Sequence, residues 1–571
     1  MDLSRRTVLS AAATALAFSV TGCAHTLRSA GQQTTSPAPT PTTPEPTVST
    51  VHPLRVGTAA PPRTLDPAWA DDAESHRVTR QVAETLVGVD PDTGAPTPLL
   101  ATRWTITPDG LQYTFTLRPD VLFHDGTELT AETVVANVER WSRLPEELGA
   151  GRLAQMPRLS FDSVFGGYAG EDGCRFDSVE ATDEATLVIT LTEPVIFLLD
   201  ALTAPSFAIT SPASWEQAQT RMAQTPDSQL PETRVAGTGP YRWAEAGELD
   251  EAPQDDRRPL RLEIWDQYWG GRPQMGPVTL QVSPRAEDRL RDLRRDELDV
   301  FDVVTPDLLR PLVQGGAQIL QRDPVSVLYL GMNLSHPVMN RLYVRQAVAH
   351  AVDRRALATE EFLAGTSTAH FFVPPSLGVD PEELTTYGYD PAEAERLLRL
   401  SSYEGEELEF LYPVYTARPY LPSPERIYAR ISADLGRVGI RVRPVPVPWD
   451  EDYAHRVRSH STRAFHLGGR TAQFRDPHSF IEPLFGRDNA EFAYQNRRVS
   501  ETIDLARGAA DPSARRDLYA QAAASVALDL PALPLAFPIS ALAAGPRIQS
   551  YPVSPVLDER FDRVVPVPEQ G

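Results

Sequence analysis

The chain has no lysine and only two cysteines, Cys23 and Cys174, in 571 residues. All 54 basic residues are therefore arginine, a usage that fits coding pressure in a GC-rich genome better than a functional choice. Two cysteines cannot build a disulfide framework or the paired CxxC motifs of redox and zinc sites. Positive charge is scarce as well. With 77 acidic residues the net charge is -23, whereas binding to a phosphate backbone needs Lys and Arg to displace counterions, so nucleic acid is excluded as a partner. Catalytic signatures are also missing: neither GxSxG nor a Walker A sequence occurs. Gly237-Thr238-Gly239-Pro240-Tyr241 comes nearest to a nucleotide loop, but Arg242 stands where the third glycine belongs and Pro240 lacks an amide donor. His455, His460 and His466 do not have the i,i+4 spacing of a zinc pair, and no carboxylate completes a ligand set. Asp90-Pro91-Asp92-Thr93-Gly94 is half a calcium loop and reads as a turn. No catalytic residue, metal site or cofactor is expected.

Long apolar runs are lacking too. Ala11 to Val20 is too short to span a bilayer. It follows Ser4-Arg5-Arg6-Thr7-Val8-Leu9, which resembles a twin-arginine export motif, and precedes Val20-Thr21-Gly22-Cys23, which resembles a lipobox. Residues 1–22 read as a signal peptide, and the twin-arginine and general secretory routes both stay open. Cleavage before Cys23 would leave its thiol lipidated and the protein tethered to the outer face of the cytoplasmic membrane. Cys174, then without a partner, is expected to be an inert thiol. Residues 23–53 carry a Ser/Thr/Pro tract that cannot bury enough apolar surface to offset its ordering entropy, and they read as an extended tether.

The length allows three or four domain-sized units, and 41% hydrophobic residues can fill their cores. The most legible stretch is Leu99 to Trp141. Leu111, Tyr113, Phe115 and Leu117 alternate with polar residues, as in a half-buried strand. Pro108-Asp109-Gly110 and His124-Asp125-Gly126 supply turns on either side. Thr130 then caps a helix whose Val134, Val135, Val138 and Trp141 share one face. Residues 184–191 and 260–265 alternate as strands, Phe161 to Arg175 reads as a Gly-rich loop, and Ala286 to Leu298 reads as a solvated helix with a Glu287–Arg291 pair.

The run P-L-L-A-T-R-W, D-G-L-Q-Y-T-F-T-L-R-P-D-V-L-F-H-D-G-T and T-A-E-T-V resembles the signature of the family 5 solute-binding proteins of ABC importers, the dipeptide- and oligopeptide-binding group. Gly237 to Tyr241, Asp266-Gln267-Tyr268-Trp269, the helix Val344 to Arg354 and Asp390-Pro391 to Leu398 are similar to further landmarks of that family. The resemblance implies an α/β, two-lobed periplasmic-binding-protein fold of the large peptide-binding type, with an extra domain inserted in lobe one. The implied boundaries are 54–84, 187–329 and 531–571 for lobe one, 85–186 for the insertion and 330–530 for lobe two, with hinge crossovers near 330 and 530. It also implies a peptide or other small ligand bound between the lobes of a monomer and delivered to an ABC permease with a cytoplasmic ATPase.

Among site residues, Asp71 falls where oligopeptide-binding relatives place an acidic cleft residue. Arg470 and Gln473 fall on the Trp and Asp of the family's G-W-x-x-D. A neutral amide at Gln473 cannot neutralise a ligand ammonium, whereas Arg470 can bind a carboxylate. A surface hydrolase, or a non-transporting sensor or adhesin on the same scaffold, are the alternative readings.

Overall fold

The strand His52–Thr58 is the first element in the computed structural model of the protein. The structure describes residues 52–148, 159–216, 233–244, 259–381, 384–449, 453–554 and 559–568. The expected signal peptide, the expected lipidation site at Cys23 and the tract up to residue 51 lie outside the described residues. The first described strand begins at His52, two residues before the expected start of lobe one at 54.

Three sheets organise the described chain. His52–Thr58 lies at the centre of a seven-stranded sheet, parallel to Met275–Val282 on one side and Val300–Asp302 on the other. Tyr241–Trp243 and Leu260–Ile264 extend it at one edge, and Ser540–Ala544 and Gln318–Arg322 at the other. A six-stranded sheet runs Ser367–Thr368, Ala532–Phe537, Ser326–Met332, Arg463–Thr471, Glu407–Val414, Arg441–Pro448. Its central strand Ser326–Met332 is buried at every position, as an uninterrupted apolar run in a sheet covered on both faces should be. The helix Pro424–Arg437 packs on Glu407–Val414 and Arg441–Pro448. Beside it, Asp390 caps Pro391–Leu400 by accepting from the Glu393 amide at 3.0 Å.

The chain passes between these sheets at Asp323-Pro324-Val325 and returns at Pro538-Ile539. The crossovers expected near 330 and 530 are therefore displaced. Ser326–Met332 and Ala532–Phe537 both belong to the six-stranded sheet and pair with each other, Leu330 opposite Leu533. Two apolar runs are better buried as adjacent strands than used as hinges. The crossings fall at prolines, which cannot donate to a ladder.

The third sheet, Ala101–Ile106, Gln112–Leu117, Thr186–Leu191, Phe176–Asp183, is antiparallel. Tyr113, Phe115 and Leu117 point inward as the alternation predicts. In the covering helix Ala131–Ser142, the Thr133 amide donates to Thr130 Oγ1 and the Thr130 amide to Thr133 Oγ1, a capping box. Val134, Val138 and Trp141 are buried, and Trp141 packs edge-on against Phe207. An insertion boundary at 186 would cut off Thr186–Leu191. The pairing of Glu84–Thr85 with Ala208–Ile209 closes the excursion instead.

Two local expectations change. The supposed loop from Phe161 opens as the helix Ser160–Phe165, because Phe161 and Phe165 sit 4.4 Å apart and both pack on Phe176. In Ala286–Arg294, Arg291 pairs with Asp288 and Asp292 rather than Glu287, and Arg289 is fully buried, donating to the carbonyls of Ser283, Pro284 and Val303. At Gly237 a Cβ would overlap the Val82 carbonyl, so the Gly-Thr-Gly run wraps the end of Ala73–Val82 and needs glycine for close approach.

His124 donates from Nε2 to the Gly239 carbonyl at 2.9 Å and meets Trp265 edge-on at 5.4 Å. Burial lowers its pKa from 6.5 to about 4. The unfolded chain therefore binds more protons between those values, and stability falls as pH drops through that window by up to about 1.4 kcal/mol per pH unit for this group. Urea unfolding from pH 6.5 to 4.5 should show a shallower loss of stability in His124→Gln than in wild type. Equal slopes would contradict this assignment.

Candidate functional site

A cavity of about 560 Å³ lies between the walls built by the two larger sheets and their helices. One wall is the helix Ala73–Val82, N-capped by Asp72, which accepts from the Ser75 amide at 3.0 Å. His76, Arg77 and Arg80 of this helix line the cavity. Behind them, Arg77 pairs with Asp302, and Arg322 bridges Asp302 and Glu559. Burial alone would raise the Asp302 carboxyl, but Arg322 and Arg77 hold it well below its ordinary value.

The facing wall is the pair Ser326–Met332 and Arg463–Thr471, in antiparallel register with Tyr329 opposite Gly468 and Gly331 opposite His466. Each glycine seats a ring. A Cβ at Gly331, Gly468 or Gly469 would overlap the rings of His466, Tyr329 or Tyr420, so these aromatic side chains lie flat against the sheet. Tyr329 OH and His466 Nε2–H both donate to Glu491 Oε1, at 2.6 and 2.8 Å. Burial would raise Glu491, yet the bonds from His466 and Tyr329 bring it below its usual range.

All three residues singled out from the sequence line this cavity, and each already has a protein partner. Asp71 pairs with Arg63 at 3.2 Å. Arg470 donates from Nε to the Ser479 carbonyl, and burial lowers its pKa. The Gln473 side-chain oxygen accepts from Ser160 Oγ at 2.6 Å, tying the segment before the helix His478–Phe485 to the helix Ser160–Phe165. Ser163 Oγ bonds Glu482 at 2.5 Å in the same contact.

Arg418, which the sequence did not single out, is buried in the cavity wall. It is 2% exposed, pairs through Nη1 with Glu74 across the cleft, and stacks 3.8 Å from the centroid of the Trp449 ring. Its Nε and Nη2, which form the side-on fork of the guanidinium, have no partner among the described residues. A topological signal could have found it. The strands Glu407–Val414, Arg441–Pro448 and Arg463–Thr471 are mutually parallel neighbours, and Arg418, Trp449 and Gln473 all follow their carboxyl ends, where open α/β sheets bind ligands.

Removing Arg322 would leave Asp302 and Glu559 buried without their shared cation. Arg322→Met should lower unfolding free energy by about 3–5 kcal/mol in urea titration. A change below about 1 kcal/mol, the worth of a surface pair, would show that the cluster is not load-sharing in this way.

Comparison with known proteins agrees with this geometry. The model for bacterial extracellular solute-binding proteins, family 5 middle, matches residues 95–492. Heme-binding protein A of Haemophilus influenzae is 27% identical over 523 residues, covering 87% of this chain and 89% of the relative. The dipeptide-binding protein of Escherichia coli is 28% identical over 514 residues, covering 86% and 90%. Among solved structures, the dipeptide-binding protein of a Pseudoalteromonas species, in complex with Met-Leu, superposes with a TM-score of 0.80 at 20% identity, covering 90% of this chain and 100% of its own. A Helicobacter pylori ABC transporter-associated periplasmic binding protein in complex with the peptide STSA gives 0.77 at 22% identity, covering 90% and 98%. These likenesses establish the two-lobed fold. With 398 consecutive residues under the family model, the chain belongs to the bacterial extracellular solute-binding proteins of family 5, which deliver peptides or similar ligands to ABC importers.

Proposed function

We propose that this protein is a lipid-anchored monomeric receptor that binds a short peptide or peptide-like acid between its lobes and presents the closed form to an ABC permease driven by a cytoplasmic ATPase. The observation that carries the ligand class is the unpartnered side-on fork of Arg418. Two parallel N–H donors on a buried cation match the two oxygens of a carboxylate, and each charge-assisted bond is about twice as strong as a neutral one. Asp71 and Glu491 put negative charge in the same cavity for a ligand ammonium, a role that neutral Gln473 cannot fill. Arg470 is a second cation available to an acidic ligand. The names of the dipeptide-binding relatives support the same class.

Closure follows from the placement of Arg418. Its bond to Glu74 spans the lobes, so a ligand seated on the fork meets both walls only when they are together. Differential affinity for that state shifts the population toward it. Cys23, lipidated after cleavage of residues 1–22, and the proline-rich tract behind it would hold the receptor near the permease. The chain would act as a carrier and not as an enzyme, as its binding-protein relatives do.

The test is a thermal-shift and calorimetric panel of dipeptides and tripeptides, each with a free or an amidated C-terminus. Free acids should bind at least about ten times more tightly than their amides, since a hydrogen bond to a charged group contributes about 1.5–3 kcal/mol. Arg418→Gln should abolish that preference. Equal affinity of wild type for acid and amide would contradict the carboxylate assignment.

A further inference from the structure

We propose that His76 is a ligand contact on the lobe-one wall whose uncharged imidazole recognises an amide group, so that the cavity selects a peptide bond in addition to a carboxylate. The proposal rests on the peptide reading above and adds a second recognition point to it.

His76 is 7% exposed and lines the cavity, yet neither Nδ1 nor Nε2 has a hydrogen-bond partner among the described residues. Four polar neighbours on the same helix are committed. Glu74 holds Arg418, Ser75 holds Asp72, Arg77 holds Asp302, and Gln81 donates to the carbonyls of Arg77 and Glu559. Leaving two buried polar atoms without partners is costly, and buried polar atoms in folded proteins are rarely left so. Burial, reinforced by Arg80 and opposed by Asp72, lowers the pKa to about 4, so the ring is uncharged at neutral pH.

An uncharged imidazole has one N–H and one lone pair. A carboxylate can satisfy only the first and an ammonium only the second. A peptide bond can meet either, its oxygen accepting from the ring N–H or its N–H donating to the ring lone pair. Arg418 and His76 approach the cavity from opposite lobes and are linked through Glu74, two residues before His76. A ligand whose terminal carboxylate lies on the Arg418 fork would hold its adjoining amide in the same cavity that His76 lines.

The experiment uses the tightest-binding free-acid dipeptide of the panel and its depsipeptide, in which an ester oxygen replaces the amide N–H. Affinities are measured calorimetrically for the full mature protein and for His76→Leu and His76→Asn. The ester should weaken binding to wild type about tenfold and to His76→Leu less than about twofold, with His76→Asn in between. Should His76→Leu not fold by circular dichroism, His76→Asn carries the comparison. The same loss in wild type and variants would overturn the contact and assign the His76 nitrogens to buried water. If no peptide binds wild type, the peptide reading itself falls, and this proposal falls with it.

Discussion

The guanidinium of Arg418 is buried where two lobes meet, and the rest of the site depends on how its charge is satisfied. Taking a cation out of water costs several kcal/mol unless partners replace its hydration. Here Glu74 supplies a counter-ion from the opposite lobe and Trp449 supplies a ring face, while the side-on fork has no partner among the described residues, the position proposed for a ligand carboxylate. A closed cavity without a ligand therefore retains an unmet demand for acceptors. In the proposed mechanism, that demand would let a small solute bias the equilibrium between open and closed forms.

The scaffold serves this arrangement in two ways. Parallel strands of the six-stranded sheet deliver Arg418, Trp449 and Gln473 at one end, each from the loop after a strand, so a site assembled from distant sequence is held by a single ladder. Glycines in the neighbouring strands let Tyr329, Tyr420 and His466 lie against the sheet, which makes a smooth aromatic floor without spending cavity volume. On the facing wall, the Arg77, Asp302, Arg322 and Glu559 cluster fixes the helix that carries His76.

Much of the fold was legible in the sequence because local chemistry and tertiary environment agree there. From Leu99 to Trp141, the alternation, the Gly turns and the Thr130 cap each lead to the observed element. The crossings were misplaced because apolar strands such as Val327 to Met332 carry the loudest signal, while the short proline segments between sheets carry little. The site was only partly legible. Asp71, Arg470 and Gln473 do share one cavity, but motif position cannot reveal that Arg63, Ser479 and Ser160 already engage them. Arg418 and His76 stand out only through burial and missing partners, which are properties of the folded state.

The central claim is that the ligand's carboxylate lies on the Arg418 fork between the lobes. A crystal structure of the protein with its tightest-binding peptide tests it most directly. A carboxylate should lie within hydrogen-bonding distance of Arg418 Nε and Nη2, with Glu74 still on Nη1. A peptide bound elsewhere in the cavity, with the fork facing solvent, would contradict it.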